Sequence, residues 1–181
     1  KREQLVDGVQ KARDAQEDAK EQFASALEEF IAVTRVDGGE LEATYKRLQR
    51  ELERSEDRAE TVRDRITSVE RVGGALFREW EQELSEYSSE SLRASSREQL
   101  EATRRRYDEL LAAMHRAESK MEPVLVAFND QVLFLKHNLN ARAIASLEGT
   151  VGELEQEIGV LIRDMEASIA EANAFIDSMG S

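Results

Sequence analysis

Two histidines, four methionines and a run of arginines are the side chains in this sequence with the strongest claim to chemistry. Helical di-iron and di-manganese sites need inward-facing carboxylates together with Glu-x-x-His pairs on two helices. Here Ala112 lies three residues before His115 and Phe134 three before His137, so neither histidine completes such a pair. A haem would need an inward His or Met ligand. Met114, Met121 and Met165 do fall on apolar stripes, where methionine ordinarily fills core space. Cysteine is absent, which removes disulfides, zinc-thiolate sites and a thiol nucleophile. The expectation is therefore no catalytic residue, no metal, no cofactor and no enzymatic role.

Two polar groups stand out as candidate sites of another kind. Lys136, His137 and Asn138, with Asn140 and Arg142 close by, form the densest group of varied polar chemistry. No nucleophile accompanies the histidine, and the simplest reading is a hydrogen-bonded turn locking two helices together. Arg104, Arg105 and Arg106, with Arg93 and Arg97 upstream, read as the basic concentration of an acidic protein. They could meet phosphate or lipid headgroups, or form a solvated face paired with Glu98, Glu101, Asp108 and Glu109. Three consecutive helical residues point in different directions, which supports the second reading. Phe77, Trp80, Leu84 and Tyr87 could make a recognition patch, although Trp80 also fits the packing seam. Gly73-Gly74 lacks a preceding strand and GxGxxG spacing, so a phosphate loop is not supported. Close packing or a mild kink explains the pair better.

The elements that would position these groups are helices. The chain has 181 residues with a single proline, and 38 acidic residues outnumber 25 basic ones to give a net charge of -13. That balance argues against an electrostatic grip on nucleic acid or anionic lipid. The length suits one domain. No run of about 18 apolar residues is present, so no segment reads as a membrane span. The sequence opens at Lys1-Arg2-Glu3, already in a helical pattern, which suggests an upstream segment such as a signal peptide.

Apolar residues recur in alternating steps of four and three through Leu5, Val9, Ala12, Gln16, Ala19 and Phe23, and the same rhythm returns in three later stretches. This is the seam of a left-handed coiled coil. Helices are expected over about 3–34, 40–87, 96–137 and 141–178. Turns are expected at Asp37-Gly38-Gly39, through the serines between Ser88 and Ser96, and at Asn138-Leu139-Asn140. A four-four slip is placed around Leu84, and Pro123 should kink the third helix near Met121 without ending it. The fold expected is all-α: one long up-down-up-down antiparallel four-helix bundle spanning 1–181. Its second and third helices are the longest, so the hairpin around Ser88 to Ser96 should project as a two-helix tip.

The stretch from Leu133 to Ile144, Leu-Phe-Leu-Lys-His-Asn-Leu-Asn-Ala-Arg-Ala-Ile, resembles the signature of a proteobacterial family known only as a domain of unknown function. Asp37-Gly38-Gly39-Glu40-Leu41 and Ser55-Glu56-Asp57-Arg58-Ala59 are similar to further segments of that family. The resemblance implies an exported, often lipoprotein-like protein carrying a removable leader, hence a periplasmic or envelope location. It implies no activity. The function expected is a non-enzymatic helical scaffold or protein-interaction module of the bacterial cell envelope; the alternative is a peripheral lipid-binding or membrane-shaping protein. The partner expected is a protein of unknown identity, not nucleic acid. Membrane contact is expected only through an upstream anchor, and the oligomeric state is left open.

Overall fold

The computed structural model describes residues 1–35, 41–138 and 140–180. They form helices α1 (Arg2–Val33), α2 (Leu41–Leu84), α3 (Glu90–Ser119), α4 (Met121–His137) and α5 (Ala141–Gly180), with no strand among them. Helix α1 packs on α2 and α5, the α3–α4 rod packs on the same two, and among the described residues the backbones of α2 and α5 do not approach closely. The result is the all-α, antiparallel four-rod bundle that the four-three rhythm predicts.

Two boundaries differ from the sequence reading. The third helix begins at Glu90, not 96, because Ser89 accepts a hydrogen bond from the Leu92 amide and caps it; the second ends at Leu84, short of 87. The third rod is two helices. Lys120 keeps right-handed helical dihedrals, but its amide bonds to the carbonyl of Ala117, which tightens the last turn before Pro123. The apolar stripe passes the interruption in phase, with Ala117, Met121 and Val124 all buried. The turn expected at Asp37-Gly38-Gly39 lies outside the described residues, as does Leu139.

The seam positions of α1 from Leu5 to Val33 are all buried, as their spacing requires. In α2 the slip comes earlier than Leu84: Val69, Gly73 and Phe77 are buried at successive steps of four. This rotates Trp80 off the axis to a half-buried flank. Glycine explains the shift. A Cβ at Gly73 would stand 2.3–2.5 Å from the outer atoms of the Tyr107 ring, so only a residue without a side chain leaves room for that ring. Tyr107 packs edge-on to Phe77 at 5.1 Å, and its hydroxyl donates to the carbonyls of Val69 and Glu70 at 3.4 Å each. In the other half of the rod Phe128 crosses the axis and stacks on Phe30 at 4.5 Å.

The ends of the rod are not level. Lys1 pairs with Glu79, and the Arg2 guanidinium donates to the carbonyl of Met179 at 2.7 Å. Helix α2 runs five residues beyond Glu79, roughly 8 Å at 1.5 Å per residue. The α2–α3 hairpin therefore extends past Lys1 and Met179 as a two-helix tip.

Neighbouring glycines should answer the same substitution with opposite signs. Gly73→Ala gains about 1 kcal/mol of helix propensity but drives a methyl into a ring held by Phe77, an overpacking that costs about 1–3 kcal/mol; the net change is a loss. Gly74→Ala meets only the mobile tip of Arg78 at 3.5 Å and should stabilise by up to about 1 kcal/mol. Paired urea melts read both. Tyr107 supplies a second test, since burial pushes its phenol up to about 12 from an ordinary value of 10.0. The folded state then holds a proton that the unfolded state has lost above pH 10, so stability should fall as pH rises from 10 through 12. Tyr107→Phe should flatten that alkaline limb and leave neutral-pH stability little changed.

Candidate functional site

The polar group at the α4–α5 junction is built from caps. The Asn138 side-chain amide donates to the carbonyl of Phe134 at 3.0 Å, satisfying an acceptor that the end of α4 leaves open. The Asn140 side-chain oxygen accepts from the amides of Arg142 and Ala143 at 3.0 and 3.3 Å, which is the geometry of a helix N-cap. Asn140 also donates its own amide to the carbonyl of Asn138 at 2.9 Å. Lys136, His137 and Arg142 are exposed around this turn. The chemistry there is that of a locked corner with three cationic or titratable side chains on its rim.

The five arginines do not converge. Arg93 turns inward at the tip, where Nε donates to the carbonyl of Leu84 at 3.1 Å, Nη2 donates to that of Tyr87, and Nη1 pairs with Glu90 at 2.8 Å. It staples the hairpin shut. Arg104 lies over the Phe77 ring at 5.3 Å and pairs with Glu81 of α2 at 3.0 Å. Arg106 lines a depression of about 580 Å³ at the end of the bundle, beside Lys1, Arg2 and Glu83. Arg97 and Arg105 are exposed and form no ion pair among the described residues.

The aromatic group divides in the same way. Phe77 and Leu84 are core, while Trp80 is half-buried and donates its indole N–H to the Ser96 hydroxyl at 2.8 Å. Tyr87 and Leu92 are exposed at the tip. Ser96, read from sequence as a turn and capping residue, is instead the mid-helix acceptor that ties α3 to α2.

Three features escape the sequence reading. His115 stands between Glu70 of α2 and Glu118 of α3, with ring nitrogens 2.9 and 3.0 Å from their oxygens, and Arg63 lies 4.0 Å from Glu118 and pairs with Glu122 at 2.8 Å. Their alignment depends on interhelical register, which spacing within one helix cannot supply. Arg47, Arg50, Arg54 and Arg58 share one exposed face of α2, a second basic concentration beside the one centred on Arg105. It flanks α1, because Arg54 pairs with Glu51, which in turn accepts from Gln22 of α1 at 2.8 Å. Finally, α4 carries apolar residues outside the seam: Val126 and Leu133 are 50% and 52% exposed. Their separation of seven residues was available in the sequence as a second stripe.

Residues 1–179 match a family model described as Protein of unknown function (DUF2959). No curated protein and no solved structure matches the chain. Among the described residues no group of three or more His, Asp or Glu side chains could hold a metal ion, and no helix is long and apolar enough to cross a membrane.

Asn140→Ala should cost about 1 kcal/mol through loss of the α5 cap. Because the lesion is local, amide exchange should speed up in the first turns of α5 before the rest of the bundle responds. Equal acceleration along the whole rod would contradict this account of the corner.

Proposed function

Because the chain belongs to the DUF2959 family, whose description assigns no activity, we propose from its surface that it is a non-enzymatic helical scaffold or protein-interaction module of the bacterial cell envelope. One observation carries the reading. The bundle axis is filled mainly with apolar side chains, from Leu5 to Val33 along α1 and from Ala143 to Met179 along α5, with Gln16, Thr44, Ser55 and Ser168 among the few polar residues buried with them. Capacity for recognition therefore lies on the outside of a rod roughly 66 Å long, as estimated from the 44 residues of α2. The envelope location is supported by the resemblance of residues 133–144 to an exported proteobacterial family. Such a protein would carry a leader upstream, with a lipoprotein-type cysteine as its anchor.

The membrane-associated alternative would draw on Arg93, Arg97 and Arg104 to Arg106. Arg93 spends its donors within the fold and Arg104 pairs with Glu81, which leaves Arg97, Arg105 and Arg106 as the arginines of this group without an ion pair among the described residues, a small cationic surface that favours a protein partner over lipid.

The test is in-cell photocrosslinking from exposed positions along the rod, in the full-length gene product, combined with fractionation. Discrete crosslinked species in the envelope fraction are expected, together with no pelleting on anionic vesicles at physiological salt. A cytoplasmic protein that forms no crosslink, or one that turns over a metabolite, would overturn the proposal.

A further inference from the structure

The flank of α2 facing α4 differs from the rest of the molecular surface. Between the two helices runs an open groove whose two halves share Glu56 and Asn129. On α2 it extends from Tyr45 to Arg63, roughly 27 Å of helix. Its apolar lining consists of Tyr45, Leu52, Leu125, Val126, Val132 and Leu133. Val126 and Leu133 lie two turns apart on α4 and stay half-exposed, which is the i, i+7 spacing of anchor positions when a helix is laid into a groove.

Charge decides what kind of helix would fit. Glu53, Glu56, Glu60 and Glu122 edge the groove against Arg63 and Lys136. Arg63 is already neutralised by Glu122 at 2.8 Å and approached by Glu118 at 4.0 Å. Glu53, Glu56 and Glu60 form no ion pair among the described residues, and the Arg47-to-Arg58 stripe of the same helix lies on the flank towards α1. Helix α2 thus sorts its charges, placing bases beside α1 and unpaired acids beside α4. A second copy of this chain docked through this same face would bring a further acidic rim to the same place.

We propose that the α2–α4 groove is the docking site for a basic amphipathic helix of a protein partner. Apolar side chains of that helix would cover Val126 and Leu133, and its lysines or arginines would meet Glu53, Glu56 and Glu60. The proposal deepens the reading of the chain as an interaction module and rests on it.

The probe is a labelled synthetic peptide of leucine and lysine, about eighteen residues long to match the groove at 1.5 Å per residue, with leucines in a four-three pattern. Binding is followed by fluorescence anisotropy on the whole chain. The expected result is saturable binding, weakened roughly tenfold or more by Val126→Ser with Leu133→Ser, and likewise by Glu53→Gln, Glu56→Gln and Glu60→Gln together. The triple Glu153→Gln, Glu155→Gln, Glu157→Gln on α5 should change affinity by less than about twofold. The glutamine variants alter only exposed positions, so they keep the test decisive if the serine variants melt early.

Equal weakening by the α5 triple would reduce the effect to net charge and overturn the proposal. So would equal affinity for a leucine–glutamate peptide of the same pattern, or no binding at all. A dimer in light scattering that Leu133→Ser dissociates would assign the face to self-association instead. Photocrosslinking separates this failure from that of the broader reading: products from Leu92 but none from Leu133 would sink the groove and leave the interaction module standing.

Discussion

The contact between Gly73 and Tyr107 sets the register on which one side of the bundle depends. The Tyr107 ring occupies the space that a Cβ would take on α2, and its edge abuts Phe77. A slip of one heptad would press the ring against Ile66 or Trp80, both with bulky side chains. With the register fixed, residues on α2 and on the α3–α4 rod pair at a nearly constant sum of residue numbers. Arg104 meets Glu81, His115 meets Glu70 and Arg63 meets Glu122. These exposed contacts are individually weak. They follow from the notch rather than create it, and the same is true of the groove between α2 and α4.

A different device aligns the opposite side. Gln16 of α1 is fully buried, and its side-chain oxygen accepts from the Ser168 hydroxyl of α5 at 2.6 Å. Its amide nitrogen finds no protein partner among the described residues, so the pair carries a desolvation cost. What it supplies is selectivity, as polar residues at seam positions do in coiled coils. A slip of one heptad would set the amide against Leu161 or Phe175 and leave it with no partner at all. The small side chains of Ala12 and Ala19, one turn to either side, let α1 lie close enough for this short bond to form.

The architecture was legible because a four-three rhythm sustained through four stretches has few other physical solutions. The seam of α1 is buried position by position, and the apolar phase across Pro123 correctly implied a rod that keeps its direction. Boundaries were less legible. Ser89 and Ser96 are chemically equivalent as caps, and only the partner across the helix pair makes one a cap and the other an acceptor for Trp80. The slip at Gly73 was missed for a related reason: a glycine in a seam reads as a gap until the ring that fills it is known. Of the candidate residues, Asn138 and Asn140 behave as their chemistry suggests, because capping is local. The arginines of α3 were grouped by sequence proximity, whereas their directions are set by a helix that sends neighbours about 100° apart.

The sorting of charge on α2 has a consequence for how such a rod can discriminate among partners. Its acids outnumber its bases overall, yet the flank beside α1 is basic and the flank beside α4 is acidic, so net charge alone would steer any cation towards the molecule without choosing a face. Choice needs short-range terms. On the α4 flank, half-exposed Val126 and Leu133 supply them, because apolar contact and charge complementarity then coincide along the same stretch. On the α1 flank the exposed stripe of Arg47, Arg50, Arg54 and Arg58 would repel the like charges of a cationic partner. Long-range attraction of a cationic helix and short-range rejection of the wrong face both follow from the placement of residues on one helix, given the register fixed at Gly73.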